Sequence, residues 1–155
     1  MNCSEFDFKI KTASYEVIID HLNKCADNFK PPLYTYVNIE EYSRKIYNNA
    51  ITFESWVNNN LVGLIAAYFN NYNTKVGFIT NVSVIKEYQG YGIASQLLSN
   101  AIKYGKNNGF ISLALEVNIN NNSAIKLYKK YGFVPVEQSQ DKIIMECIIT
   151  NDKNE

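Results

Sequence analysis

One segment of the chain reads Val82-Ser83-Val84-Ile85-Lys86-Glu87-Tyr88-Gln89-Gly90-Tyr91-Gly92-Ile93-Ala94. Its first part is rich in β-branched residues and predicts a strand, the two glycines predict a short turn, and residues from about 91 to 108 predict a helix. Glycines let the backbone approach a ligand closely, because they have no Cβ. The first turn of a helix adds unpaired N–H groups and the positive end of its dipole. The segment therefore predicts a binding site for a phosphate or pyrophosphate. No Lys-Ser/Thr pair follows the glycines, which excludes a P-loop.

The residues on both sides of this segment predict a mixed α/β fold. Before it, the pattern predicts a short strand at 6–10, helices at 15–26 and 38–49, and antiparallel strands at 51–57, 61–69 and 76–85. After the helix it predicts a strand at 111–117, a helix at 122–131, and strands at 133–137 and 142–149. A strand–helix–strand order through the glycine turn implies a right-handed parallel crossover. We therefore expect a mostly antiparallel sheet of about six to seven strands, with one parallel crossover and about four flanking helices.

Turn and cap residues support these boundaries. Asn38 precedes the second helix with Glu41 three residues on, as in a capping box. The asparagines at 58–60 join two strands, and asparagine tolerates the positive φ that a tight hairpin needs. Gly109 and Gly132 stand where helix C-termini favour a left-handed residue. Because the chain has no internal repeat and no linker, residues 1–150 are expected to form a single domain, followed by a polar tail at 151–155.

Composition and charge exclude several classes of partner. Apolar residues make up 46% of the 155 residues and charged residues 19%, which indicates one globular domain rather than a disordered chain. The 15 basic and 15 acidic side chains give a formal net charge of zero. No run of Lys and Arg forms a basic stripe, so no nucleic-acid partner is expected. The longest apolar run, at 61–69, is too short to span a bilayer.

The first residues and the cysteines predict a cytoplasmic location and no membrane partner. The start of the chain has neither the basic region nor the apolar region of a signal peptide. Cys3, Cys25 and Cys147 are odd in number and lack Cys-x-x-Cys spacing, so reduced thiols are expected rather than a disulfide or a metal site. We expect a monomer or a homodimer.

A few aromatic residues and the single histidine need separate predictions. Trp56 lies on an apolar strand face and is predicted to belong to the core. His21 is predicted to be a surface residue, on the premise that its amphipathic helix has no carboxylate or cysteine at ligand spacing. Four tyrosines fit either the wall of a substrate groove or ordinary packing: Tyr34, Tyr36, Tyr42 and Tyr47.

Two short motifs are shared with one enzyme superfamily. The first is Gln89-x-x-Gly92-x-Ala94 in the glycine turn, and the second is Asn121-x-x-Ala124-x-x-x-Tyr128, followed by Tyr131-Gly132-Phe133. Both resemble signatures of the GNAT superfamily of acetyl-CoA-dependent N-acetyltransferases, whose pyrophosphate motif is Gln/Arg-x-x-Gly-x-Gly/Ala. The order of the predicted elements also matches, so the resemblance covers nearly the whole chain. Within the family, the motifs are most similar to those of bacterial enzymes that acetylate the N-terminal amine of a ribosomal protein.

The resemblance implies an enzyme that transfers the acetyl group of acetyl-CoA to a primary amine in a ternary complex. The acceptor would be a protein N-terminus or a small-molecule amine, and no metal would take part. Glu116 would remove the amine proton, directly or through water, and Tyr128 would give a proton to the departing thiolate. The residues implied to bind the cofactor are Val82, Ser83, Val84, Gln89, Gly90, Tyr91, Gly92, Ile93, Ala94, Ser95, Asn121, Ser123 and Ala124.

Two other functions fit parts of the sequence. A dinucleotide-binding oxidoreductase would use the helix opened by Gly90 and Gly92, with Glu116 on the ribose. It fails because Ser95 stands at the third glycine position, and because an antiparallel meander precedes the turn. A non-catalytic acyl-CoA-binding sensor on the same fold stays open, since binding and catalytic residues are largely shared.

Overall fold

The computed structural model describes residues 5–150 of the chain. Cys3 and the predicted tail at 151–155 therefore lie outside the described residues. The helices are α1 (Tyr15–Cys25), α2 (Ile39–Asn49), α3 (Ile93–Asn107) and α4 (Asn122–Lys130). The strands are β1 (Asp7–Ile10), β2 (Ile51–Val57), β3 (Asn60–Tyr68), β4 (Val76–Val84), β5 (Ser112–Asn118), β6 (Val134–Ser139) and β7 (Lys142–Ile148). Among residues 5–150, no helix combines the length and the apolar composition needed to cross a bilayer.

The strands form one sheet in the order β1-β2-β3-β4-β5-β7-β6. β1 pairs with β2 in antiparallel orientation, and β7 pairs in the same way with both β5 and β6. β4 and β5 are parallel, with Val76–Ile79 opposite Ser112–Leu115. Because α3 connects these two strands along the chain, they form the predicted crossover. The predicted fold class, a mostly antiparallel sheet with one parallel pair and four helices, is confirmed.

Local sequence signals explain most element boundaries. Asn38 caps α2, since its side-chain oxygen accepts a hydrogen bond from the Glu41 N–H at 2.9 Å. Asn58 and Asn59 have φ values of 49° and 65°, as the predicted hairpin turn requires. The glycine that follows α3, Gly109, is left-handed with φ of 82°. These three predictions are confirmed.

The helix after the glycine turn begins at Ile93, two residues later than predicted. Gly90 and Gly92 have φ values of 89° and 83°, far from the helical region. Tyr91 lies between them and therefore belongs to the turn. A short 3₁₀ helix at Lys86–Tyr88 leads into this turn from β4.

The fold divides into two compact units. The first contains the described residues up to Ala66 together with Asn81–Leu98, and the second contains Ala67–Thr80 and the described residues from Ser99 onward. The core of the first unit includes Ile18, Leu22, Ile46, Phe53, Leu64 and Ile93. The core of the second unit includes Phe110, Leu113, Leu115, Phe133 and Met145.

A buried carboxylate fixes the connection from β1 to α1 in the first unit. Glu54 on β2 is shielded from solvent. Its oxygens accept hydrogen bonds from the N–H groups of Thr12 and Ala13 at 3.0 Å each, from the Thr52 hydroxyl at 2.6 Å and from the Trp56 indole N–H at 3.1 Å. These donors compensate the carboxylate for its removal from water. Trp56 is only partly buried, and its ring nitrogen serves this carboxylate, so the prediction of a core tryptophan was incomplete.

His21 is buried, so the prediction of a surface histidine was wrong. Its side chain is 1% exposed. Nε2 lies 3.0 Å from Ser83 Oγ and 3.7 Å from Cys25 Sγ. Cys25 follows His21 by one helical turn and shares its face of α1, a sequence signal that was missed. Burial lowers the pKa of His21 from 6.5 to about 4, even though contacts with Leu61 and Ser83 favour the charged form.

This buried histidine predicts a loss of stability in acid. Between about pH 6.5 and pH 4, His21 is protonated in the unfolded chain but stays neutral in the folded protein. The free energy of unfolding therefore falls as the pH falls through that range. The free energy of unfolding should be about 2 kcal/mol lower near pH 5 than near pH 7.5 from this group alone. Urea unfolding at several pH values measures the slope. His21→Leu should make the slope shallower by that amount, and an unchanged slope would contradict the assignment.

Candidate functional site

The C-terminal part of β4 presents backbone N–H groups on its outer edge. The parallel ladder with β5 ends at Ile79, whereas β4 continues to Val84. Just beyond the strand, the Ile85 N–H donates to Val62 O of β3 at 2.9 Å. Because N–H directions alternate along a strand, Val82 and Val84 direct theirs to the opposite edge. An extended ligand with amide groups can pair with such an edge in the manner of an added strand.

The glycine turn after β4 leaves open space beside its backbone. Gly90 has a φ of 89°, and no heavy atom lies within 4 Å of the position that a Cβ would occupy there. Gly92 has a φ of 83°. Gln89 Nε2 donates to Val84 O at 3.2 Å and so holds the turn against the end of the strand. The left-handed conformation explains both glycines, and the open space leaves room for a ligand.

The N-terminus of α3 follows directly. Gln96 N–H donates to Gly92 O at 3.1 Å, closing the first turn of the helix. The N–H groups of Ile93 and Ala94 precede that bond, so they have no acceptor within the helix. Together with the positive end of the helix dipole they favour an anion. The strand edge, the open turn and the helix start all belong to the first unit, and their order suits an extended arm that ends in a pyrophosphate.

Gly63 on β3 determines how closely α3 approaches the sheet. A Cβ at this position would lie 2.6 Å from Ile93 Cγ2 and 3.3 Å from Leu97 Cδ1. The first turn of α3 therefore packs directly on the backbone of β3, which fixes the start of the helix. Gly63 was not among the predicted site residues. An isolated glycine inside the apolar run at 61–69 is the signal that could have found it.

Glu116 lies near the C-terminal end of β5, in the second unit. It stands opposite Ile144 of β7 in the ladder. Its neighbours Leu115 and Val117 are buried, whereas Glu116 is exposed. Alternation along the strand directs its carboxylate away from the face on which those two side chains lie. An accessible carboxylate at a strand end can take a proton directly or through water.

The first turn of α4 brings together three residues predicted for the cofactor site. Asn121 Oδ1 accepts hydrogen bonds from the Ala124 N–H at 3.3 Å and from the Ser123 hydroxyl at 3.4 Å. This oxygen therefore caps the helix. The NH₂ group of the same side chain is the part that can donate to a ligand.

Tyr128 lies on α4 and is buried, with 7% of its surface exposed. Its ring packs against Phe133 with 5.9 Å between centroids, and its carbonyl accepts the Phe133 N–H at 3.0 Å. Burial raises the pKa of Tyr128 to about 12. The phenol is therefore protonated throughout the neutral pH range and keeps a proton to donate.

The predicted site residues are distributed over both units. Those of the first unit follow one another along β4, the glycine turn and the start of α3: Val82, Ser83, Val84, Gln89, Gly90, Tyr91, Gly92, Ile93, Ala94 and Ser95. Those of the second unit lie at the end of β5 and on α4: Glu116, Asn121, Ser123, Ala124 and Tyr128. Within residues 5–150, no group of three or more His, Cys, Asp or Glu side chains is arranged to hold a metal ion.

Comparison with known families defines the class of this protein. The acetyltransferase (GNAT) family matches residues 15–133, which is most of the chain. An N-alpha-acetyltransferase of Saccharolobus solfataricus is 30% identical over 141 residues, covering 84% of this chain and 83% of the relative. The chain belongs to the GNAT family of N-acetyltransferases and is an acyltransferase.

Another relative is also an N-acetyltransferase, and solved structures share the fold. N-alpha-acetyltransferase 30 of Schizosaccharomyces pombe is 28% identical over 102 residues, covering 61% of this chain and 68% of the relative. Two further relatives are matched over only 30% and 27% of their own lengths. The ribosomal-protein-S18-alanine N-acetyltransferase of Escherichia coli has the same fold, with a TM-score of 0.76 at 18% identity over 96% of this chain and 97% of that chain. PaiA N-acetyltransferase of Thermoplasma acidophilum, solved in complex with coenzyme A, has a TM-score of 0.71 at 19% identity over 92% of this chain and 99% of that chain.

Proposed function

We propose that this chain transfers the acetyl group of acetyl-CoA to a primary amine, either a protein N-terminus or a small-molecule amine, by direct attack in a ternary complex. The observation that carries the proposal is the sequence of strand edge, open turn and helix start in the first unit. Those three features suit the amide-containing arm and the pyrophosphate of coenzyme A, in that order. The proposal takes residues 1–150 as a single acetyltransferase domain.

Three groups of residues are proposed to bind acetyl-CoA. The outward N–H groups of Val82 and Val84 would pair with the pantetheine amides. The backbone from Gly90 to Ser95 would hold the pyrophosphate. The NH₂ group of Asn121 would donate to acetyl-CoA.

The proposed chemistry assigns one task to each polar group. Acetyl-CoA supplies a thioester carbonyl that is reactive toward an amine lone pair. Glu116 would accept the amine proton, because an amine with a pKa of ~8 or ~10.4 is mostly protonated at neutral pH. The N–H groups along Val82–Val84 would donate to the acetyl oxygen as charge develops there. Tyr128 would donate its proton to the leaving sulfur.

The chemistry favours an α-amine over a lysine side chain as the acceptor. Removing a proton from an amine of pKa ~8 costs about 3 kcal/mol less at neutral pH than from an amine of pKa ~10.4. Glu116 is the single base in the proposed mechanism, so this difference matters. The relatives from Saccharolobus solfataricus and Schizosaccharomyces pombe are named N-alpha-acetyltransferases, which supports the same choice.

Acetyl-CoA and CoA should raise the melting temperature by mass action, whereas NAD and ATP should not. Gly92→Ala tests the location of the cofactor, because an alanine at φ of 83° costs about 1–2 kcal/mol and adds a Cβ to the turn. Gly109→Ala is the matched control, with a φ of 82° and nothing within 4 Å of the new Cβ. Both variants should lose stability, but only Gly92→Ala should weaken the shift caused by acetyl-CoA. Equal shifts in the two variants would place the pyrophosphate elsewhere.

Release of free thiol from acetyl-CoA, followed with a thiol reagent, tests the transfer itself. The assay uses a panel of peptides with free N-termini, lysine side-chain amines and small amines. Thiol release that depends on one of these acceptors is expected. A protein that binds acetyl-CoA but releases no thiol with any of them would be the non-catalytic sensor instead.

A further inference from the structure

A chain of hydrogen bonds runs beside the end of β4, entirely within the first unit. His21 Nε2 lies 3.0 Å from Ser83 Oγ, the Ser83 hydroxyl donates to Asn81 Oδ1 at 2.8 Å, and Asn81 Nδ2 donates to Tyr42 Oη at 3.4 Å. We call these four side chains the His21 network. It joins α1, β4 and α2. His21, Asn81 and Ser83 are 1%, 3% and 6% exposed, so the network is shielded from solvent over most of its length.

Both ring nitrogens of His21 have partners in the first unit. Besides the contact of Nε2 with Ser83 Oγ, Nδ1 lies 3.4 Å from the Leu61 carbonyl oxygen of β3. A carbonyl oxygen only accepts, so this contact favours a proton on Nδ1, whereas a Ser83 hydroxyl that donates to Asn81 Oδ1 favours a proton on Nε2. In either tautomer a hydrogen bond joins His21 to Ser83, because the Ser83 hydroxyl can donate or accept.

The network acts on the part of β4 that bears the proposed cofactor donors. Asn81 and Ser83 alternate along the strand with Val82 and Val84, whose N–H groups point to the outer edge. The ladder with β5 ends at Ile79. Beyond that point the strand is therefore held by β3 on one edge and by the His21 network through its side chains.

We propose that His21 is a positioning residue for acetyl-CoA. By fixing Ser83 and Asn81, it fixes the position and tilt of the backbone N–H groups of Val82 and Val84. This inference rests on the proposed function, which assigns those N–H groups to the pantetheine arm and the acetyl oxygen. His21 would not touch the cofactor, and its effect would pass through its contacts with Ser83 and with the Leu61 carbonyl of β3.

Packing and acid–base chemistry explain the network less well. Apolar side chains would fill the same volume without the cost of burying polar groups. What the hydrogen bonds add is a fixed orientation of the side chains that they join. The low pKa of His21, about 4, keeps the ring neutral where the enzyme would work, so it does not serve as a base. The amide of Asn81 is also a poor relay for protons, since it holds both of its N–H protons firmly.

Three variants separate the hydrogen bond from the packing. His21→Leu keeps an apolar side chain in the space but removes the hydrogen bond to Ser83. His21→Gln restores a side-chain amide, which can donate to or accept from Ser83 Oγ. Ile18→Val is the matched control, because Ile18 is a buried residue of the same helix and the change costs stability without touching the network.

Acetyl-CoA affinity, kcat and melting temperature are measured for all three. His21→Leu should lower kcat/KM for acetyl-CoA about tenfold, which corresponds to ~1.4 kcal/mol. His21→Gln should recover to within about threefold of the wild type, and its pH–rate profile should keep the wild-type shape. Ile18→Val should lose a few degrees in melting temperature, about 2–5 °C, with unchanged kinetics. The amide NMR signals of Val82 and Val84 should move in His21→Leu and stay in place in Ile18→Val.

The outcomes distinguish this inference from the function on which it rests. If His21→Leu keeps the affinity and turnover of Ile18→Val, the network is structural and His21 does not position the cofactor. If His21→Gln is as impaired as His21→Leu, the hydrogen bond is not the cause of the effect. If the wild type itself does not bind acetyl-CoA, the proposed function fails first and this inference falls with it.

Discussion

Tyr128→Phe is expected to lower turnover by a factor on the order of 10²–10³ while the melting temperature hardly moves. The substitution removes one hydroxyl and keeps the ring, whose packing on Phe133 is therefore preserved. Affinity for acetyl-CoA should change much less than turnover, because the hydroxyl is needed only when the sulfur leaves. Thiol release, calorimetric titration with acetyl-CoA and thermal melting measure the three quantities.

Two further variants show whether the effect belongs to the hydroxyl of Tyr128. Tyr128→Ala also removes the ring and should destabilise the fold by about 3–5 kcal/mol, as large-to-small changes of buried aromatics do. Tyr104→Phe removes a hydroxyl from another tyrosine of the second unit, whose ring lies 5.1 Å from Phe69, and should keep wild-type turnover. Near-normal turnover in Tyr128→Phe would remove Tyr128 from the mechanism and leave it a packing residue.

The raised pKa of Tyr128 at first argues against a proton donor. A phenol of pKa about 12 would have to protonate a thiolate of pKa ~8.5, a transfer that is unfavourable by roughly 5 kcal/mol. Burial acts on thiols in the same direction, however, and in this protein it raises the pKa of Cys25 to about 11. A thiolate that leaves in a site similarly shielded from solvent would be nearly as strong a base as the phenolate. The proton transfer from the phenol to the thiolate is then unfavourable by only about 1–2 kcal/mol. A hydrogen bond to the charged group can offset that cost.

The parts of the fold that could be predicted from sequence are those fixed by local chemistry. Asn38 caps a helix and Asn58 and Asn59 turn a hairpin because of their own side chains and backbone preferences. Gly92 and Gly109 adopt φ values of 83° and 82°, which few other residues tolerate. Each of these signals is contained in a few consecutive residues, so no knowledge of distant partners was needed.

The parts that could not be predicted depend on residues far apart in the chain. His21 is buried because Ser83, 62 residues later, supplies a hydrogen-bond partner. Glu54 is buried because Thr12 and Ala13, about 40 residues earlier, direct their N–H groups toward it. Single-sequence patterns assign both side chains to the surface, since an unpaired charge or imidazole in the interior would be costly.

The candidate site shows the same division. The glycine turn and the asparagine before α4 could be recognised as motifs, because each is compact in sequence. Gly63 stands out in the sequence as an isolated glycine in an apolar run, but its close contact with Ile93 of α3 could not be recognised, because that contact depends on packing across the first unit. The burial that sets the pKa of Tyr128 also depends on tertiary packing. The sequence thus predicts which groups could react, and the fold determines how far the pKa of each group is shifted.

Glu116→Gln is expected to lower turnover most at low pH. Glutamine has the shape of glutamate but cannot accept a proton. At about pH 6 an α-amine of pKa ~8 is about 99% protonated, so the loss should be on the order of 10² or more. At about pH 9 most of the amine is already free, and the loss should shrink to a few-fold. The ratio of wild-type to variant turnover, measured across this range with one acceptor peptide, should therefore fall steadily as the pH rises.

Glu137→Gln provides the matched control for this pH dependence. Glu137 is an exposed acid on β6 of the same unit, and its substitution removes the same charge from the protein. If a general loss of negative charge weakened the reaction, both variants would lose activity alike and the ratio would not depend on pH. Equal rates for Glu116→Gln and the wild type from about pH 6 to pH 9 would mean that water alone removes the proton. A pH-dependent loss confined to Glu116→Gln would identify this carboxylate as the base, because of the two substitutions only that one would remove the group that accepts the amine proton.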